Sequence, residues 1–317
     1  MLEKFFKLSE NGTDVRTEIV AGITTFMTMA YILAVNPNVL SATGMDHGAV
    51  FTATALASLI GTLLMALLAN YPFALAPGMG LNAYFAYTVV LGMGYTWQVA
   101  LTAVFVEGIV FIVLSLTNVR EQIFNAIPMN LKSAVSVGIG LFIAFIGLQN
   151  AHIVIGGATL VELFSLDGYN SSTGLEATTS DVGITVLLAI IGVVITGILV
   201  IKNVKGNILW GILITWLLGI ICQFTGLYVP NPDVSCYSLL PDFSNGLSIP
   251  SLAPIFGKLQ FDGIFTLDFA VVVFAFLFVD MFDTIGTLIG VSSKANMLDE
   301  EGKLPQIKGA LLADAIA

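Results

Sequence analysis

Apolar stretches of about 20 residues recur along this chain with only short charged links between them, and that recurrence decides its solvent. A helix of roughly 20 apolar residues is what crosses the hydrocarbon core of a bilayer. Windows of that size lie near 18–40, 49–69, 72–92, 96–117, 130–149, 182–201, 206–228 and 267–291, and a ninth begins near 306. Of the 317 residues 57% are hydrophobic and only 10% charged, against about 25% charged in soluble domains. A water-soluble fold of this size has no means of hiding so much apolar surface. The chain is therefore expected to be an all-α polytopic membrane protein. Its opening, MLEKFFKLSENGTDVRTE, lacks the apolar core of a signal peptide. The tail, LPQIKGALLADAIA, stops within the rise of the ninth window, so the sequence reads as part of a longer protein.

Charge placement gives an orientation. With a cytoplasmic N-terminus, the cytoplasmic segments are 1–17, 70–71, 118–131, 202–205 and 292–305. Every Lys and Arg except Lys258 then falls in those segments or at their edges: Lys4, Lys7, Arg16, Arg120, Lys132, Lys202, Lys205, Lys294, Lys303 and Lys308. That asymmetry is the positive-inside pattern. The net charge is −10 and no basic patch exists, so a nucleic-acid partner is not expected. Cys222 and Cys236 offer neither a metal spacing nor a disulfide framework. No Walker loop, nucleophile elbow or His/Cys metal set occurs, so neither an enzyme nor a cofactor is expected.

One window departs from a plain helix. NYPFALAPGMGLNAYFAYTVVLG, 70–92, contains Pro72, Pro77, Gly78 and Gly80. A proline within a helix removes a hydrogen bond and clashes with the preceding turn, at a cost of about 3 kcal/mol. Non-helical backbone at membrane depth persists only where protein or a water-filled cavity surrounds it. The reading is an extended entry over 72–78, then a half-helix from near Met79 to Leu91. Its free N–H groups and positive dipole end would point to mid-membrane, with Asn82 in the first turn. A proline-kinked helix packed closely through its glycines is the alternative.

The other exceptional stretch is FLFVDMFDTIGT, 277–288, which places Asp280 and Asp283 inside an apolar run. A charge at the bilayer centre costs at least about 2.5–3.5 kcal/mol on insertion scales. Asp280, Asp283, Thr284 and Thr287 follow i, i+3, i+4, i+7 spacing and share one helical stripe, expected to face inward. No Lys or Arg lies mid-span to neutralise them, so proton uptake near neutral pH is an expected property of the pair. Protonated acids that merely join helices are the plainer alternative. Glu107 and Asp314 are single intramembrane acids for which an interhelical hydrogen bond and a transport role are both open. The first window carries Thr24, Thr28 and Tyr31 on one face and reads as ending at Asn36-Pro37; those hydroxyls are either cavity-lining or interhelical. His47 and His152 read as loop residues.

TEIVAGITTFMTMAYILAVNP, ALAPGMGLNAYFAY and FLFVDMFDTIGTLIG, in that order, resemble the AzgA-type hypoxanthine–guanine permeases of the nucleobase–ascorbate transporter superfamily. The resemblance covers essentially the whole chain. It implies fourteen spans in two inverted seven-span repeats, with a core domain that carries substrate and a gate domain, in a homodimer. Here only spans 1–8 and the start of span 9 are expected. Residues 1–17 would be a cytoplasmic N-terminus and 18–228 the first repeat, with core spans 1–4 and gate spans 5–7. Residues 229–266 would form an extracytoplasmic loop and 267–317 the start of the second repeat.

The same resemblance assigns Asp280 to hydrogen bonding with a purine ring and Asp283 to support or proton coupling, a role in which Thr284 joins it as its neighbour on the helical stripe. Gly80 and Asn82, with Gly78 beside them, match the substrate-recognition positions of the broken span. Thr24, Thr28 and Glu107 are further cavity-lining candidates from the residue reading alone. The implied activity is proton symport of purine nucleobases across the cell membrane, with the lipid bilayer, the purine and the proton as partners. A second substrate-binding acid would lie in span 10, beyond this sequence. Two other readings are an anion transporter resembling the sulfate carriers, and a non-transporting receptor or scaffold that reuses the fold.

Overall fold

The computed structural model describes residues 3, 6–10, 12–117, 128–234, 236–240, 248–295, 297–299 and 304–317. Lys4, Arg120 and Lys303, on which part of the orientation rests, lie outside the described residues. The chain is predominantly helical: α1 Val15–Met29, α2 Ile32–Ser41, α3 His47–Leu64, α4 Met79–Ala83, α5 Trp97–Leu116, α6 Met129–Asn150, α7 Leu166–Thr173, α8 Ile184–Ile201, α9 Asn207–Phe224, α10 Leu267–Lys294 and α11 Ile307–Ile316. Among the described residues, six helical stretches are long and apolar enough to cross a membrane: Val15–Ser41, His47–Ala69, Trp97–Leu116, Thr179–Ile201, Asn207–Phe224 and Leu267–Ser293. Their outer faces are unpacked and apolar, as Leu187, Ile190, Val193, Val194 and Ile198 on α8 show. In water such a surface would drive aggregation, whereas against acyl chains it is at rest.

Helix starts follow local chemistry. Asp46 accepts from the N–H of Ala49 at 2.7 Å, Thr96 from Val99 at 3.4 Å and Thr266 from Phe269 at 3.2 Å, each satisfying a first-turn donor with no helical acceptor. The first window does not end at Pro37. The helix instead breaks at Ala30-Tyr31 and restarts, with Pro37 inside α2. Pro37 supplies no N–H to the Leu33 carbonyl, yet the chain stays helical through it to Ser41.

The residues fall into two compact units. One contains 1–22, 29–142 and 249–317. In it α2 packs on α3 and α4, α5 packs on α10 and α11, and α11 also packs on α3 and the wide turn that follows it. Two apolar clusters form its interior. Met45, Val50, Phe85, Val89, Val99 and Ala103 surround Phe269, Val272 and Phe276 of α10. Further along α10, Leu288 and Ile289 meet Met65, Tyr71, Phe73, Ile307 and Leu311. Threonines on the helices hold the non-helical backbone: Thr102 Oγ1 donates to Gln260 O and accepts from Gln260 N, both at 2.9 Å, and Thr52 donates to Pro250 O at 2.9 Å.

The second unit contains 23–28 and 143–248. Its helices α8 and α9 meet through a reciprocal pair. A Cβ on Gly192 would lie 3.2 Å from Thr215 Cβ, and one on Gly211 would lie 3.0 Å from Thr196 Cβ. Each threonine also donates to the glycine carbonyl of its own helix at 2.8 Å, which is how small and hydroxyl residues bring helices close in lipid. The link before α8 is not plain coil. Val154–Gly157 (β1) and Leu160–Leu163 (β2) form an antiparallel hairpin with Val154 opposite Leu163, followed by α7.

His152 sits at the base of this hairpin, its ring edge-on to Tyr169 with centroids 5.1 Å apart. Burial pulls its imidazole below the ordinary value of 6.5. The folded state thus favours the neutral ring. Stability is full above 6.5, the unfolded value, and falls as pH drops below it, because the unfolded chain then binds the proton more readily. Hydrogen exchange across 153–164, corrected for intrinsic rates, is expected to be faster at about pH 5.5 than at about pH 7.5, and His152→Phe should remove the difference.

Candidate functional site

The site grows from a break in regular structure within the first unit. Asn70 adopts a left-handed conformation (φ 52°) after the wide π turn Met65–Ala69 and donates to Phe6 O at 3.2 Å. Asn tolerates this backbone better than a branched residue would. Residues 71–78 then run without helix to Met79. Leu75 is fastened at both backbone groups by Thr62: its N–H donates to Thr62 Oγ1 at 3.0 Å, and Thr62 Oγ1 donates to its carbonyl at 3.3 Å. Tyr71 stacks on Phe73 and its hydroxyl donates to Pro305 O. The extended entry expected for 72–78 and the half-helix from Met79 are both present.

That half-helix begins as α4 and widens to a π-helix over Tyr84–Gly92. The wider turn places Phe85, Ala86, Val89 and Val90 in the apolar interior. Gly78 caps α4 with extended backbone and no side-chain cap, and the first intrahelical bond runs from Asn82 N to Gly78 O at 3.1 Å. The N–H groups of Met79, Gly80 and Leu81 therefore precede the helical ladder, where the dipole is positive.

A carboxyl group stands at this end. A Cβ on Gly78 would lie 2.8 Å from Asp283 Oδ2. Asp283 comes from the middle of α10, between its two apolar clusters, and Asp280 lies one turn earlier, half-buried. Thr284 is buried and donates to Asp314 Oδ2 of α11 at 2.7 Å. The Asp314 carboxyl is near enough to Asp283 for the two to interact electrostatically. The structure thus gathers Gly78, Asp283, Thr284 and Asp314, while Asp280 shares the helix. Thr287, expected on the same stripe, is exposed, because at its level Leu288 and Ile289 turn inward against the second cluster.

The remaining candidates scatter. A Cβ on Gly80 would lie 3.3 Å from the ring of Phe142. Glu107 is on the buried face of α5 with Ala103 and Phe111. Thr24 and Thr28 belong to the other unit, where Thr28 donates to Thr25 O of its own helix at 2.7 Å. His47 is the first residue of α3 rather than a loop residue, and its ring is 3.0 Å from Asn38 Oδ1.

Sequence reasoning missed Asn36 and Thr54. Asn82 Nδ2 donates to Asn36 Oδ1 at 2.6 Å, and Asn36 Nδ2 donates to Thr54 Oγ1 at 2.7 Å. The available signal was an amide within an apolar window beside a proline, where a polar group requires a partner.

Helices of membrane-crossing length with apolar, lipid-ready faces define a multi-pass membrane protein. The chain belongs to the Permease family, whose Xan_ur_permease profile matches residues 16–317. It is 45% identical over 326 residues to the guanine/hypoxanthine permease PbuG of Bacillus subtilis, covering 99% of this chain and 67% of PbuG. It is 44% identical over 316 residues to PbuO of the same organism, also a guanine/hypoxanthine permease, covering 98% and 67%. It is 41% identical over 318 residues to the adenine permease AdeP of Escherichia coli K12, covering 100% and 65%. The chain thus spans about two-thirds of the length of these relatives, which are transporters and not enzymes.

The close approach at Gly78 sets a stability contrast. Gly78→Ala drives a methyl into the Asp283 carboxyl and is expected to cost about 1–3 kcal/mol. Gly108→Ala, inside α5 with nothing within 4 Å of the new Cβ, should be neutral or stabilising by up to about 1 kcal/mol. Thermal unfolding of the detergent-solubilised protein measures both.

Proposed function

We propose that the full-length protein is a secondary active transporter that imports purine nucleobases, hypoxanthine and guanine with adenine as a further substrate, by proton symport. The observation that carries this reading is the apposition of Asp283 and the first turn of α4, with Asp280 one helical turn away. A purine ring offers N–H donors and lone-pair acceptors side by side. A carboxylate accepts from the former, and first-turn N–H groups donate to the latter. Asp280 is assigned the ring N–H contact, Gly78, Gly80 and Asn82 the facing surface, and Asp283 with Thr284 the coupling proton. The substrate class comes from relatives named as guanine/hypoxanthine and adenine permeases.

A small inorganic anion fits less well, since ionised acids at the site would repel it. The same reading places the protein in the cell membrane with a cytoplasmic N-terminus and as a homodimer. It assigns 18–228 to the first repeat, with core spans before gate spans, and 267–317 to the start of the second.

Radiolabelled hypoxanthine uptake by the full-length protein, in cells lacking their own purine permeases, tests this. Asp280→Asn should cut saturable uptake at least about tenfold, as expected for losing a charge-assisted hydrogen bond worth ~1.5–3 kcal/mol. A protonophore should abolish the gradient-driven part. Unchanged uptake in the variant removes the binding role of Asp280; protonophore-resistant, sodium-dependent uptake removes proton coupling.

A further inference from the structure

Thr54 and Asn36 lie outside the roles assigned above, and both are almost fully buried, at 2% and 3% exposure. Burying two polar side chains in an apolar unit is costly unless each finds a partner, and these form one directed row. Thr54 Oγ1 is 2.7 Å from Val50 O, one turn back in α3. A carbonyl only accepts, so the single hydroxyl proton of Thr54 is committed to it. Towards Asn36, Thr54 can then only accept.

That fixes the sense of the next amide. Asn36 must turn Nδ2 to Thr54, at 2.7 Å, which leaves Oδ1 facing α4. Asn36 Oδ1 likewise only accepts, so Asn82 must turn Nδ2 to it, at 2.6 Å. An isolated asparagine presents oxygen or nitrogen with nearly the same shape, and its orientation follows from its hydrogen-bond partners. Here the orientation is dictated three residues away by a main-chain carbonyl that cannot reverse. Asn82, half-buried in the first turn of α4, keeps Oδ1 as the end of its amide turned from Asn36.

We propose that Thr54 and Asn36 are positioning residues that set the sense of the Asn82 amide, so that Asn82 meets the substrate as an acceptor and selects a ring N–H. The inference rests on the purine-transport reading above and deepens it. A reversible amide would accept a lone-pair nitrogen as readily as an N–H. A fixed one favours a six-oxo purine, with its additional ring N–H, over a six-amino purine that carries a lone pair there.

The test uses hypoxanthine uptake by the full-length protein, with surface abundance measured for every variant. Thr54→Val keeps the shape and removes the hydroxyl; it should raise the KM for hypoxanthine at least about fivefold with Vmax and abundance held, because the remaining amides can reverse. The preference for hypoxanthine over adenine, read as a ratio of inhibition constants, should narrow. Thr54→Ser should restore both values, and in an Asn82→Ala background Thr54→Val should change neither, since coupled residues are not additive. Thr54→Ala gives the same readout if the valine variant fails to reach the membrane. Unchanged KM and preference at normal abundance overturn the proposal, as does an equal effect with and without Asn82. Absence of saturable hypoxanthine uptake by the wild-type protein overturns the functional reading itself and this substrate role with it.

Discussion

The polar layer of the first unit depends on one close contact, the approach of the Asp283 carboxyl to the backbone of Gly78. It joins the middle of a 28-residue helix to the start of an interrupted one. Each partner explains the other. Backbone cannot leave helical geometry in the hydrocarbon core unless other groups satisfy it, and a carboxyl group cannot sit there without donors or a positive field. A glycine at the junction allows the two to meet, since a Cβ would occupy the space the carboxyl needs.

The rest of the unit is arranged to hold that junction. Thr62 fastens both backbone groups of Leu75, so the extended segment is not left with orphaned donors and acceptors at its midpoint. The two apolar clusters grip α10 above and below the acids, through Phe269, Val272 and Phe276 on one side and Leu288 and Ile289 on the other. A single helix thereby belongs to two cores with a polar interval between them. The interval is fixed by packing that is indifferent to the charge it encloses.

The spans, the extended entry and the half-helix start at Met79 were legible because they follow from local chemistry: apolar runs of membrane length, and prolines and glycines that helices reject. The acids were legible because a charge in such a run is conspicuous. What could not be read was anything that depends on register between distant elements. The π-helix at Tyr84–Gly92 leaves no compositional trace, and Thr287 matches the acidic stripe by spacing yet is exposed. Pro37 suggested an end where the helix continues to Ser41, since the loss of one hydrogen bond does not by itself stop a helix. The hairpin at 154–163 lies in a link with no strong alternation, and Asn36 reads in sequence as part of a proline break although it bridges Thr54 and Asn82, which are distant along the chain.

Two polar rows converge on α4, and their chemistry differs. One runs from Val50 O through Thr54 and Asn36 to Asn82 and is built from neutral groups whose donors and acceptors are consumed in sequence. The other joins Thr284 to Asp314, with Asp283 near that carboxyl and against Gly78. A neutral row has one sense and keeps it, whereas a row of carboxyl groups changes its donor count whenever a proton enters or leaves. α4 is thus held on one side by neutral amides and bounded on the other by a carboxyl group. On the proposed reading, a proton bound at the acidic row changes the field at the first turn of α4 while the amide row keeps Asn82 in place. On that proposed transport reading, such an arrangement lets proton occupancy and ligand recognition share one short helix without either erasing the other.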